Sequence, residues 1–294
     1  MSTQPIRLLM ALLAAGVAVL GAWTATALPT SQCAPIKVAL LAQLFDPQDN
    51  KEQMLGQMKP FSNLVQKDLT VQAEFEIVDD IPQLKEALAG GRVQIAVMPG
   101  LSYGWLRQKF EDVRPLLVAT MDSPTLQAVT LVAEKSPLKN LCDLKGQPAA
   151  LPKRPPLYLR VFLEREWGQP AEKFVVPKEL DNAEEAIEAV IDGAVQAAIL
   201  PRAAVDAYAD RKPGRFKRVR VLSESPEFPL PVVAYCRAGA DLNAVQKFET
   251  ALLKADETAE GRQALTLWRL RGFAKPPADY DELARKVGAQ FPAP

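Results

Sequence analysis

"GRVQIAVMP" (residues 91–99) and "GAVQAAILP" (193–201) align without a gap, 102 positions apart. They share Gly91/Gly193, Val93/Val195, Gln94/Gln196, Ala96/Ala198 and Pro99/Pro201. Each is a short apolar run that follows an amphipathic helical pattern carrying acidic residues. Apolar runs of this length, closed by Pro, read as strands buried on both faces. A nine-residue match is short. Its weight comes from the order of elements around it.

Upstream of the first copy, "IKVALLAQLF" (36–45) reads as a strand and "EQMLGQMKPFSNLVQKDL" (52–69) as a helix. Met54, Met58, Phe61 and Val65 fall at helical spacing there, a core stripe, and Pro60 should kink or divide the helix. "VQAEFEIV" (71–78) alternates like a strand, and "IPQLKEALAGG" (81–91) opens with Pro and closes with Gly-Gly, as helices do. The second copy sits in the same order. A strand in "LKGQPAALP" leads to a helix at 157–168 with Leu159, Phe162, Leu163 and Trp167 on one face. A strand at "KFVVP", a helix at 183–193 and the strand 194–201 follow. Strand–helix alternation gives a mostly parallel sheet with crossover helices. Its recurrence predicts two α/β lobes. Extended runs at 126–135 and 229–239 should bridge them, making a hinge of two strands. Beyond lies a helix with Leu242, Val245, Phe248 and Leu252 on one face, then a helical stretch at 261–273; both return to the first lobe. The expected divisions are 1–27, a signal peptide; 28–128, the first part of lobe 1; 129–233, lobe 2; and 234–294, the return crossing and C-terminal helices.

Composition narrows the function. The chain has 294 residues, 48% hydrophobic and 24% charged, with 35 Lys plus Arg against 35 Asp plus Glu, so no basic surplus points to nucleic acid. It has no histidine, which excludes Ser-His-Asp and Cys-His nucleophile systems and histidine metal sites. Cys33, Cys142 and Cys236 show no metal-ligand spacing; for Cys142 and Cys236 a small buried hydrophobe is the expected role. No catalytic residue, metal or cofactor is predicted. "LLMALLAAGVAVLGAW" (8–23), preceded by Arg7 and followed by "ATA" at 25–27, reads as an export signal cut after Ala27. An uncleaved anchor is the alternative, although the run falls short of the roughly 20 residues that span a bilayer.

Several segments together resemble the periplasmic substrate-binding proteins of ABC importers, in the phosphate, phosphite and phosphonate branch. They are "KPFSNLVQKDL", "LKEALAGGRVQIAVMPGLSYGW", "LKNLCDLKGQPAAL", "IEAVIDGAVQAAIL", "PEFPLPVVAY" and the closing set Gly272, Phe273, Tyr280 and Leu283. The resemblance implies a two-lobed type II binding fold. It also implies a small, anionic ligand in the interlobe cleft and permease subunits as partners. The protein would be exported to the periplasm, touching membrane only through its partner or an uncleaved N-terminus. A ligand-sensing module for a membrane receptor is the alternative function, and an enzyme on the same scaffold a third.

In open α/β sheets ligands sit at the carboxyl ends of strands, beside helix N-termini that favour anions. Four loops qualify, and they supply the candidate ligand-binding residues Gln43, Ser102, Tyr103, Lys153, Arg154, Tyr158 and Arg202. The resemblance implies a ligand contact for Tyr103; helix-start structure is the other reading for Tyr103 and Ser102, and a solvated surface cation the other for Arg202. The family grips its anion in the third loop with Ser and Thr hydroxyls and backbone N–H groups. Here "LPKRPPL" (151–157) has no Ser, Thr or Gly, and its three prolines lack N–H donors. Lys153 and Arg154 supply charge instead. A purely structural turn and a Pro-rich docking peptide are the other readings of this loop.

Overall fold

The computed structural model describes residues 35–46, 48–69, 73–238 and 240–293. The signal segment, its alternative as an anchor, and Cys33 lie outside these residues.

Strand β1 (Ile36–Leu41) ends before Phe45, because a 3-10 turn at Ala42–Leu44 bends the chain away. Helices α1 (Lys51–Gln57) and α2 (Lys59–Leu69) replace one long helix, divided just ahead of Pro60 as the missing N–H requires. Asn50 and Gln53 close α1 with a capping box, and Met54, Met58, Phe61 and Val65 are all buried. Strand β2 (Ala73–Val78) leads to α3 (Ile81–Ala89), capped by Asp80, whose carboxylate accepts from the Gln83 N–H. Strand β3 (Ile95–Met98), helix α4 (Gly100–Lys109) and strand β4 (Val113–Thr120) complete this half.

The second half opens on β5 (Ala128–Ala133) and β6 (Pro148–Pro152). Helix α5 (Leu157–Trp167) buries Leu159, Phe162, Leu163 and Trp167 as expected. "KFVVP" is not one strand. Lys173 and Phe174 finish a short helix, α6 (Ala171–Phe174), and β7 (Val176–Leu180) starts only after it. Phe174 stacks on Trp167 with ring centroids 4.6 Å apart, a packing demand that the apolar run conceals. Helix α7 (Ala183–Ile191), strand β8 (Ala197–Pro201), helices α8 (Arg202–Arg211) and α9 (Pro213–Phe216), and strand β9 (Val219–Glu224) follow. The chain ends with β10 (Val232–Cys236), α10 (Leu242–Leu253), α11 (Ala259–Leu267), β11 (Gly272–Ala274) and α12 (Tyr280–Gln290). Two expectations fail here. Leu242 is 61% exposed at the first position of α10, and "RGF" is strand β11 rather than helix.

The strands form two sheets, ordered β11-β4-β10-β3-β1-β2 and β7-β6-β8-β5-β9. β3 lies between β1, its parallel neighbour, and antiparallel β10. β8 lies the same way between parallel β6 and antiparallel β5. The two copies of the repeat therefore occupy equivalent central positions. The likeness extends to Gly91 and Gly193, both at positive φ (69° and 76°), and to the caps Asp80 and Asn182. The two-lobed α/β architecture read from the repeat is present.

The runs at 126–135 and 229–239 are not themselves the bridges. Their strands, β5 and β10, are each paired inside one sheet. The chain crosses in the short segments before them, 121–127 and 225–231, and Leu126 and Phe228 pair there in an isolated antiparallel bridge. Phe228, fully buried, packs at a tilt against Tyr158 of α5 and Phe291 beyond α12, so one apolar cluster runs through the crossing between the lobes. Helices α10 and α11 pack on α2, and α12 packs on α4, returning the C-terminus to the first lobe. Cys236 is buried, as expected of a small hydrophobe, but Cys142 is exposed, because it lies on the outer side of a 3-10 turn at Leu141–Leu144.

On the second lobe Glu188 joins α7 to the α8–α9 corner. Arg215 and Lys212 pair with it and Tyr208 donates a 2.8 Å hydrogen bond. Arg215 first, then these partners, hold its carboxyl down to about 2 from 4.5. A depressed folded-state pKa contributes stability above 4.5 that is lost as pH falls from about 4.5 to about 2. Glu188→Gln should therefore lower the urea midpoint at neutral pH, and the gap to the parent protein should close on acidification through that window.

Candidate functional site

The loops after β1 and β6, the equivalent strands of the two lobes, face each other across a cleft of about 1050 Å³. Gln43, Asp46 and Gln57 line it from the first lobe, and Lys153, Arg154 and Arg160 from the second. Trp268 and Arg269, just past α11, form a third side. Arg154 reaches across from "LPKRPPL", its Nη1 2.5 Å from Oδ2 of Asp46. The Asp46 side chain is only 10% exposed and that of Arg154 is 66% exposed, so the contact joins a well-held acid to a free-ended cation. Asp49, Asp79 and Glu179 add acids to the same cleft. Among the described residues its acidic and basic side chains are equal in number, four of each with Lys153, Arg154, Arg160 and Arg269.

Three of the seven candidate residues, Gln43, Lys153 and Arg154, line this cleft. Ser102 does not; it is fully buried and donates to Oε1 of Gln43 at 2.6 Å, so it orients a cleft residue from behind. Tyr103 is also fully buried, and its hydroxyl donates to Asp281 at 2.6 Å, in the packing of α4 against α12. Burial, followed by the Asp281 carboxylate, pushes that phenol far above its ordinary value. Tyr158 is 6% exposed and packs on Phe228, with burial raising its phenol to about 12. Arg202 lies beside the crossing, where it pairs with Glu224 and donates to Gln127 at 3.2 Å.

Three of these departures, Ser102, Tyr103 and Arg202, share a cause. At β3 and β8 the antiparallel partners β10 and β5 bring the crossings directly over the strand ends. A Cβ on Gly100 would run into the Pro229 and Leu230 carbonyls, and the Arg202 N–H donates to the Gln127 carbonyl at 2.8 Å. The helix starts after β3 and β8 thus meet the crossings, leaving those after β1 and β6 for the cleft. Tyr158 fails by helix phase. Leu157 and Arg160, one turn apart, face the cleft, and Tyr158 points about 100° away.

The sequence model for phosphonate periplasmic substrate-binding proteins of ABC transporters matches residues 44–280. The chain belongs to this family. Three solved structures share the fold of this binding protein at low identity. XAC2383 from Xanthomonas citri, bound to chloride ion, is 17% identical with a TM-score of 0.54, covering 86% of this chain and 96% of its own. PhnD1 from Prochlorococcus marinus, in complex with methylphosphonate, is 14% identical with a TM-score of 0.53, covering 87% and 97%. The ABC phosphonate transporter component PA3383 from Pseudomonas aeruginosa is 13% identical with a TM-score of 0.52, covering 86% and 85%.

Sequence reasoning about this family member missed one wall of its cleft. Asp79 and Glu179 were within reach, since they lie at the carboxyl ends of β2 and β7. Trp268 and Arg269 carry no local signal; they arrive from the far end of the chain. Arg269 is also the one non-glycine residue at positive φ among the described residues, at 54°. It ends α11 in the left-handed conformation usually given to glycine, with the Leu270 N–H donating back to the Leu265 carbonyl at 2.8 Å. A side chain there costs about 1–2 kcal/mol. Such strain concentrates at ligand sites. Arg269→Gly should stabilise the protein by about 1 kcal/mol in chemical denaturation, while weakening ligand binding; a variant that gains stability and keeps full affinity would remove Arg269 from the site.

Proposed function

We propose that this family member is an exported, non-enzymatic binding protein that captures a small oxyanion-bearing solute between its lobes and delivers it to the permease of an ABC importer. Residues 1–27 serve as the export signal. The lobe boundaries fall in the crossings at 121–127 and 225–231, and closure bends both segments together. The observation that carries this reading is the Arg154–Asp46 contact across the cleft. It joins the loops after β1 and β6, the helix-start positions that the fold leaves open to a ligand. Arg154 offers a planar fork suited to an oxyanion, and Lys153 and Arg160 stand on the same wall. Gln43, held by Ser102, offers an amide from the opposite side. The ligand replaces Asp46 as the partner of Arg154, and the equal count of acids and bases favours a solute that also carries a hydrogen-bond donor.

A thermal-shift panel on the chain lacking residues 1–27 tests the reading, with methylphosphonate, inorganic phosphate, sulfate and neutral amino acids as probes. A ligand at one hundred times its Kd adds about 2.7 kcal/mol of stability. At least one oxyanion should raise the midpoint. A panel in which amino acids shift the midpoint and no oxyanion does would overturn the assignment.

A further inference from the structure

Above the face of the first sheet that α2, α10 and α11 cover lies a cavity of about 240 Å³. Phe75, Val97, Ala119, Phe248 and Leu252 are among its walls, and no lining side chain carries a charge. Its effect is visible strand by strand. Val97 sits mid-strand in β3, between β1 and β10, where a side chain is normally sealed off. It nevertheless keeps partial exposure, as does Phe75 across the sheet, because the void lies over both. Native interiors close-pack and leave few voids larger than a water molecule. Enclosed apolar cavities admit apolar guests, one of about 150 Å³ accepting benzene; this one is open on one side, so a guest can enter. The cavity is not isolated. Leu44 and Trp268 line both it and the polar interlobe cleft. The Trp268 ring is held edge-on by Phe45 at 5.2 Å and by Phe61 at 6.3 Å, and it stays half-buried between the two spaces.

We infer that the solute is amphiphilic: an oxyanion head in the cleft and an apolar tail of roughly six to ten carbons that passes Trp268 into the cavity. The inference rests on the oxyanion reading above and adds the tail. Charge lines one space and hydrocarbon the other, with a single shared wall, so one molecule with both characters satisfies both.

Isothermal titration of the mature-length chain with n-alkylphosphonates, from methyl to decyl, tests it. Affinity should rise about fourfold per methylene, with an increasingly negative heat-capacity change, and level off once the cavity is full. 1-Octanol should compete with octylphosphonate and leave methylphosphonate binding unchanged. Val97→Phe, which fills the cavity, should abolish the chain-length gain and keep methylphosphonate affinity; the series on the parent protein decides the matter if that variant fails to fold. Methylphosphonate binding with no gain from longer chains overturns the tail and leaves the oxyanion reading intact. Octanol binding without binding of any phosphonate overturns the head group, and with it both this inference and the reading beneath it.

Discussion

Gly104→Ala is expected to lower the thermal midpoint by roughly 10 °C or more. Gly104 lies in α4 where that helix meets α12 backbone to backbone. A Cβ there would sit 2.1 Å from the Ala284 carbonyl oxygen and 3.4 Å from Cα of Gly288. Gly288 is tight in return, with its own Cβ position 2.9 Å from the Gly104 carbonyl carbon. No rotamer change relieves a clash with main chain, so the helices must separate. The partly buried Tyr103–Asp281–Arg107 set, whose hydrogen bonds are 2.6 and 3.0 Å, separates with them. Gly56→Ala is the matched control. Gly56 is also helical, but its Cβ position has open space, so alanine should stabilise by about 0.5–1 kcal/mol through helix propensity. Differential scanning calorimetry of the two variants should show shifts of opposite sign. A small shift for Gly104→Ala would mean that the α4–α12 contact is looser than its geometry.

The second large effect falls on binding. Arg154→Glu should weaken methylphosphonate affinity by about a hundredfold or more, the scale expected when one member of a charged, hydrogen-bonded contact is removed and reversed. The substitution also sets two carboxylates face to face across the cleft, at Asp46 and at position 154. Stability should change by less than about 0.5 kcal/mol, because the Arg154 side chain is two-thirds exposed. Arg154→Lys separates charge from shape. It keeps the cation and loses the fork, so an intermediate affinity is expected. Titration calorimetry on all three proteins reads the result, and equal affinities would remove Arg154 from the site.

Much of the fold was legible because its signals are local. The Gly and Pro punctuation around 91–99 and 193–201, the Met and Phe stripe of α1 and α2, and the division at Pro60 all act within a few residues. What escaped was set at a distance. Nothing in "KFVVP" reveals that Phe174 is drawn into a stack with Trp167. The antiparallel insertion of β5 and β10 into otherwise parallel neighbours cannot be read from either strand alone. Yet that insertion decides which strand ends stay open. The rule that ligands gather at strand carboxyl ends therefore reached Gln43, Lys153 and Arg154, which line the cleft, but also picked Ser102, Tyr103 and Arg202, which do not. Trp268 lay beyond reach for the same reason: its neighbours Phe45 and Phe61 are some 200 residues away in sequence.

The place of β10 also bears on the order in which the two sheets can be completed. The second sheet is assembled wholly from residues 128–224, an unbroken stretch. The first sheet is not: β10, from residues 232–236, separates β4 from β3, and β11 closes its edge. By itself the N-terminal third can hold β1, β2 and β3 together but has no partner for β4. Until the chain extends through α12 at Gln290, the C-terminal helices cannot all cover it either. Maturation therefore begins in the middle of the polypeptide and finishes at both ends. A chain truncated after residue 230 should carry a protease-resistant core at 128–224 and a first third still open to cleavage.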